Sequence, residues 1–203
     1  YCKKVLKGES VLEKRKMREF VNFLPGINPT RAEKQFGTKE IDYYDQAAFE
    51  RDYNHEEGFM ENNPFASFEE GISLSAGDVI ISNSMQLATI VGNSNAGKVP
   101  SLNFTKVEFT NSEIDKRYFI YLFNAYSGVK RQKERELQGT GLIMRIPIKA
   151  LNELVIPIIS MEEQQKIGKA YNEMLKLQSK LTKYTELIEK FVGTVLEENL
   201  KER

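Results

Sequence analysis

Cysteine, histidine and tryptophan are almost missing from this sequence. One Cys (Cys2), one His (His55) and no Trp in 203 residues exclude a disulfide framework and a Cys/His zinc cage, each of which needs several such side chains. An excess of either charge is missing too. The 29 basic and 29 acidic residues give a formal net charge of zero, so any attraction to nucleic acid must be local. No apolar run approaches the roughly 20 residues of a membrane-spanning helix, and no basic-then-apolar leader follows Tyr1. These absences predict a cytoplasmic protein trimmed at its start, with no membrane partner. A hydrophobic content of 40% is enough to build a core.

What is present is unevenly distributed. Residues 1–24 carry a net +4, residues 30–70 a net −7, residues 71–160 a net +3, and residues 161–203 none. Screening confines each charge to about 10 Å. A basic stretch in a neutral chain can therefore still hold phosphate, or simply be solvated surface.

Residues 9–23 place Val11, Leu12, Met17, Phe20, Val21 and Phe23 at a spacing that predicts a short helix, stopped by Pro25-Gly26. Residues 26–70 are polar, aromatic and acidic, with a weak pattern for two helical pieces. From Ile72 the character changes. Residues 78–82 and 87–91 are rich in β-branched residues and read as strands, and residues 101–109 alternate. A helical period runs through Tyr118, Phe119, Leu122 and Phe123. Gly139-Thr140-Gly141 forms a loop, and a short apolar segment follows at 151–159. The expected fold class is α+β: a globular head with a mainly β core and flanking helices (residues 1–160), followed by one long coiled-coil helix (residues 161–203).

That helix is the clearest element. Ser160 with Glu163 matches a capping box. Ile167, Ala170, Met174, Leu177, Leu181, Tyr184, Ile188, Phe191 and Val195 then recur at alternating steps of three and four, a heptad register. The stripe predicts a coiled-coil seam, with a helix packed on its own domain as the alternative. Equal numbers of acids and bases on this segment favour pairing with a second copy.

Several motifs point to chemistry and fail. Gly92-Asn93-Ser94-Asn95-Ala96-Gly97-Lys98 has the G-x4-G-K spacing of a phosphate-binding loop. However, Val99 replaces the hydroxyl that would bind Mg²⁺, and Pro100 opposes a helix start. A Gly/Asn turn in a β-hairpin is expected instead, with Lys98 free to meet an anion. Asn62-Asn63-Pro64-Phe65 resembles the Asn-Pro-Pro-Tyr motif of amino-methyltransferases, but it lacks the second Pro, and the chain lacks a glycine-rich methyl-donor turn. His55 is solitary, and no acidic loop has EF-hand spacing. No catalytic residue, metal site or cofactor is expected.

The residues from Gly77 onward resemble a known family. Gly77-Asp78-Val79-Ile80-Ile81-Ser82 is similar to the Gly-Asp-Ile-Leu-Ile-Ser block of type I restriction-modification specificity (S) subunits. Residues 115–126, DKRYFIYLFNAY, resemble the family's helix after an acidic turn, and Gln138-Gly139-Thr140-Gly141 its Gly-Ser/Thr loop. Most specific is Leu151-Asn152-Glu153-Leu154-Val155-Ile156-Pro157-Ile158-Ile159, continued by Met161-Glu162-Glu163-Gln164-Gln165-Lys166-Ile167. It matches Leu-x-x-Leu-x-Ile-Pro-x-Pro-x-x-Glu-Gln-x-x-Ile, with Ile159 at the second Pro. The loop continues as Leu-Ile-Met-Arg rather than Pro-x-hydroxyl. The resemblance covers residues 72–203; residues 1–70 match by position only.

The resemblance implies a non-catalytic DNA-recognition subunit. Each of its recognition domains reads one half of a split site on double-stranded DNA, and paired spacer helices set the gap. Implied partners are methyltransferase (modification) subunits and, through the complex, a restriction subunit. With one recognition domain and one helix, the chain resembles a half-subunit whose homodimer would rebuild the whole. Two other readings remain: the recognition end of a fused restriction-methyltransferase enzyme, and a coiled-coil adaptor unrelated to DNA.

Phosphate contacts need positive charge, and base contacts need Arg, Lys, Asn or Gln. The best cluster is Lys130, Arg131, Lys133 and Arg135, leading to Gln138 and Thr140, with Arg145 on the next strand. Lys98, Asn93 and Asn95 form a second candidate. The bland alternative for 130–135 is a solvated helix face paired with Glu134 and Glu136.

Overall fold

The computed structural model describes residues 13–28, 30, 41–55, 73–140 and 143–201. Cys2 and the Asn62-Asn63-Pro64-Phe65 motif lie outside the described residues. The chain begins with β1 (Glu13–Lys16), a 3-10 turn and β2 (Val21–Pro25), then β3 (Tyr43–Tyr44) and α1 (Gln46–Tyr53). Next come β4 (Val79–Ser82), β5 (Leu87–Ile90), β6 (Val99–Pro100) and β7 (Phe104–Phe109). Helices α2 (Lys116–Asn124) and α3 (Ser127–Glu136) precede the hairpin of β8 (Gln138–Thr140) and β9 (Ile143–Arg145). The chain finishes with α4 (Ile148–Glu153), β10 (Val155–Ile158) and α5 (Met161–Lys201). The head-plus-long-helix α+β architecture is as expected. No described helix is long and apolar enough to cross a membrane.

The centre is a four-stranded antiparallel sheet in the order β2-β7-β4-β5. Strand β4 is buried throughout, because the alternation of a strand sends its neighbours to opposite faces. Val79 and Ile81 join Phe20, Val107, Phe119, Leu122, Phe123 and Ile156 in a cluster under α2–α4. Ile80 joins Tyr44, Phe49, Leu74 and Phe104 in a second cluster under α1. Asp45 caps α1 by accepting from Ala48 N (2.8 Å). Asp115 caps α2 by accepting from Arg117 N (2.9 Å) and Tyr118 N (3.0 Å).

Residues 13–23 correct the expected helix. Glu13–Lys16 pairs antiparallel with β10, Lys16 opposite Val155, and Val21–Pro25 joins the central sheet. Long-range pairing overrides a loose local period. Most of the basic residues described here are also spent. Arg15 pairs with Glu19 (2.8 Å) and Glu113 (2.7 Å), while Lys16 and Arg18 both reach Glu153 (2.6 Å).

Helix α5 has 41 residues, about 60 Å of rise. Its start is fastened to the head. Glu163 N donates to Ser160 Oγ (3.3 Å) and Ser160 Oγ to Glu163 Oε2 (2.9 Å). The buried Gln164 accepts from Asp115 N (2.9 Å) and donates to the carbonyls of Glu113 and Ile159 (both 3.0 Å). Gly168 lets the helix lie against α2: a Cβ there would stand 2.7 Å from Tyr118 N. Tyr171 packs edge-on against Tyr121, ring centroids 5.6 Å apart, and Asn172 and Leu175 are buried. Beyond Leu175 every large apolar side chain of α5 is exposed.

Candidate nucleic-acid interface

Helix α3 carries the main basic cluster, and its packing sorts the charges. Val129 and Lys133 are buried, whereas Lys130, Arg131, Glu134, Arg135 and Glu136 face solvent. Lys133 corrects the sequence reading, which made it a phosphate contact. Its Nζ donates to Gln86 O and Phe123 O, both at 2.7 Å, and lies 4.0 Å from the centroid of the Phe123 ring. Phe123 is in the last turn of α2, where carbonyls lack helical partners and the dipole favours a cation. Burial lowers the Lys133 pKa to about 8. Beside it Gln132 locks α3 to β10, donating to Val155 O (2.9 Å) and accepting from Val155 N (2.8 Å).

The exposed edge of α3 continues into the β8–β9 hairpin. Register places Gln138 opposite Arg145, and both are exposed. Thr140 belongs to β8, but its side chain, like Gly141, lies outside the described residues. Arg145 Nη2 donates to Asn103 Oδ1 at 2.8 Å, which joins the hairpin to the turn at 101–103. That turn is joined in turn to the four-residue β4–β5 loop at 83–86. Asn83 N donates to Asn103 O (2.9 Å), Asn83 Nδ2 to Leu102 O (3.3 Å), and Thr105 Oγ1 to Asn83 Oδ1 (2.9 Å). Gln86 sits at φ +57°, the left-handed position that closes such a loop. Sequence reasoning missed Asn83, Met85, Gln86, Leu102 and Asn103. The signal was weak, because only the sheet register that sets Ser82 against Phe104 brings these two turns together.

The second candidate largely dissolves. The stretch 92–98 is not a β-hairpin turn: β5 pairs with β4, and β6 pairs in parallel with β3. Residues 93–95 form a 3-10 turn clamped to α1. Asn95 is fully buried, donating to Asp52 Oδ1 (2.9 Å) and Ala48 O (3.2 Å). Asp52 also accepts from Gly92 N (3.0 Å) and Tyr44 Oη (2.7 Å). Burial, followed by the charge of Asp52 and this hydrogen bond, raises the pKa of the Tyr44 hydroxyl, keeping it a donor. Asn95 is therefore a structural amide and not a DNA contact. Lys98, expected to be free, is mostly covered and lies 3.7 Å from Asp42. Asn93 alone of the three is exposed.

His55 lies just past α1 at φ +52°, facing the charges of Glu173 and Lys176 on α5. Burial, then the charge of Lys176, lowers its pKa. Among the described residues no group of three or more His, Cys, Asp or Glu is placed to hold a metal ion. The exposed features are thus a basic helix edge, a polar three-turn tip and an apolar rod.

The seam residues are outward-facing: Ile167, Ala170, Met174, Leu177, Leu181, Tyr184, Ile188, Phe191 and Val195 are all exposed, with Phe191 at 70%. The docked face of α5 (Gln164, Gly168, Tyr171, Leu175) is a different one, roughly a third of a turn away at 100° per residue.

No family model and no curated protein matches the chain. Its structure is similar to that of a type I restriction-modification system S subunit from M. genitalium, with a TM-score of 0.55 and 16% identity over 91% of this chain and 45% of that one. It is similar to a structure describing complex assembly and conformational transition of the type I R-M system, with 0.56 and 18% over 91% and 43%. It is also similar to the HsdS subunit from Thermoanaerobacter tengcongensis, with 0.51 and 16% over 85% and 39%. The chain has the fold of these S subunits and spans less than half the length of each of these three structures.

Proposed function

We propose that this chain is a non-catalytic specificity module of a type I restriction-modification system. Its head holds one half of a bipartite site on double-stranded DNA. Its rod pairs with the rod of a second copy, giving a homodimer with two heads. Modification subunits, and through them a restriction subunit, assemble on that scaffold in the cytoplasm. Residues 1–160 serve as the recognition domain and residues 161–203 as the spacer and dimerisation helix.

The observation that carries this reading is the division of α5. Its first turns are spent on the head, and the remainder, roughly 35 Å of rise, presents a heptad stripe to water. Leu177, Leu181, Tyr184, Ile188 and Phe191 are each at least 60% exposed. Burying one such side chain yields about 1.5–3 kcal/mol, so a stripe of this kind favours a partner helix. A twofold pair would present two identical heads, hence two equal half-sites.

Co-expression with a cognate modification subunit, followed by genome-wide mapping of methylated positions, tests the reading. The expected result is a split motif with palindromic half-sites. A motif with unequal halves would remove the homodimer, and no methylation dependent on this chain would remove the specificity role.

A further inference from the structure

Outside α5, the exposed large apolar side chains among the described residues are Met85, Leu102 and Met144, at 40%, 46% and 40%. They stand on three segments that hydrogen bonds of Asn83 and Arg145 join. Met85 is on the β4–β5 loop, Leu102 on the 101–103 turn and Met144 on the β8–β9 hairpin. The tip is preorganised. Asn83 ties the first two turns together through its backbone N and its Nδ2, while its Oδ1 accepts from Thr105 of β7, and Arg145 ties the third to Asn103. Beneath it, Lys133 holds the Gln86 carbonyl.

Its composition is selective. Among the described residues, 82–86, 101–103, 138–140 and 143–145 include Asn83, Gln86, Asn103, Gln138 and Arg145 and no acidic residue, in a chain with 29. The patch is rimmed by amide and guanidinium groups, and on the Met85 side Gln46 Nε2 donates both to the Met85 sulfur (2.9 Å) and to Glu50 Oε1 (3.0 Å), so one carboxylate borders it. It matches what base edges offer: Arg suits guanine, Asn and Gln suit adenine, and apolar contacts suit the thymine methyl. The basic edge of α3 adjoins it through Gln138, on the side where a phosphate backbone would run.

We propose that this three-turn tip is the base-reading element, with Asn103, Arg145, Leu102, Met85 and Met144 contacting base edges and Asn83 positioning them. Lys130, Arg131 and Arg135 hold phosphates and carry no sequence information. This inference rests on the DNA-binding reading above and assigns its chemistry to particular residues.

The test selects binders from a pool of duplexes with a randomised interior, using the full chain and its Leu102→Ala, Met144→Ala and Asn103→Ala variants, with equal thermal melting as the folding control. The wild type is expected to enrich a defined motif. Each tip variant is expected to lose roughly tenfold of discrimination at one or more positions with an unchanged slope of log affinity against log salt. Arg131→Ala and Arg135→Ala are expected to do the reverse, keeping the motif and lowering the slope by about one. Tip variants that retain the full motif would overturn the inference, and the more so if they lose binding to a modification subunit, which would make the tip a protein-docking surface. A wild-type chain that enriches nothing would overturn the DNA-binding reading itself, and this inference with it.

Discussion

The two ends of α5 are one continuous helix with opposite environments. Near the head, Gln164, Gly168, Asn172 and Leu175 are buried. Toward the end, Tyr184, Ile188, Phe191 and Leu200 are in water. Two glycines mark the difference. A Cβ at Gly168 would collide with the α2 backbone, whereas one at Gly193 meets nothing within 4 Å. The same division runs through α3, where Lys133 is turned inward and Arg131 and Arg135 outward. A side chain's type sets what it can do, but the face on which it docks decides whether it is available. Polar residues on the docked faces have become structural, and apolar residues on the free faces are left in water.

The largest expected effect comes from breaking the free end. Leu181→Asp places a charge in the seam, and burying an unpaired charge is prohibitive. Sedimentation should show the dimer dissociation constant raised by at least about a hundredfold. A wild-type chain that is monomeric at micromolar concentration would break the comparison outright.

Gly168→Val tests the docked end. With backbone atoms under 3 Å from the new Cβ, the helix must shift or the head must yield, costing about 1–3 kcal/mol in thermal melting. A variant of unchanged stability would mean that α5 is not seated closely on α2.

Lys133 extends the comparison to pH. Its folded pKa is about 8, lowered from 10.5 by burial. Between those values the unfolded chain holds more protons, so stability rises with pH there. The cost of burying the charge is present below pH 8 and fades above it. Relative to Lys133→Met, the wild type should gain about 1–2 kcal/mol between pH 8 and 9.5, read from melting curves of both proteins. A constant difference would mean that the ammonium is not desolvated.

Gly193→Ala should have the smallest effect. A solvent-facing helical glycine costs about 0.5–1 kcal/mol relative to alanine, so the variant should raise rod helicity by circular dichroism and raise the melting temperature slightly. Destabilisation would place an unseen contact at that position.

Local signals survived where a local cause dominates. The Ser160–Glu163 cap and the uninterrupted heptad stripe of α5 are short-range effects written in neighbouring residues. They failed where the partner is distant in sequence. Residues 13–16 look helical until β10 offers a strand. Lys133 looks like its neighbours until Phe123 of α2 and Gln86 of the β4–β5 loop each supply a carbonyl. Asn95 looks like a loop amide until Asp52 arrives from α1. The tip was illegible for the same reason, since two of its turns meet only through the register of β4 on β7 and the third only through the Arg145–Asn103 hydrogen bond.

The residue order alone determined the rod, its start, its striped face and the strand-rich character of the head, because helical period and capping act over a few residues. Only the tertiary structure decided which face of the rod is spent on the head, which lysine of α3 is lost to the interior, and which turns gather into one surface. Those outcomes depend on burial and pairing between segments far apart in the chain, and no window of sequence contains both partners.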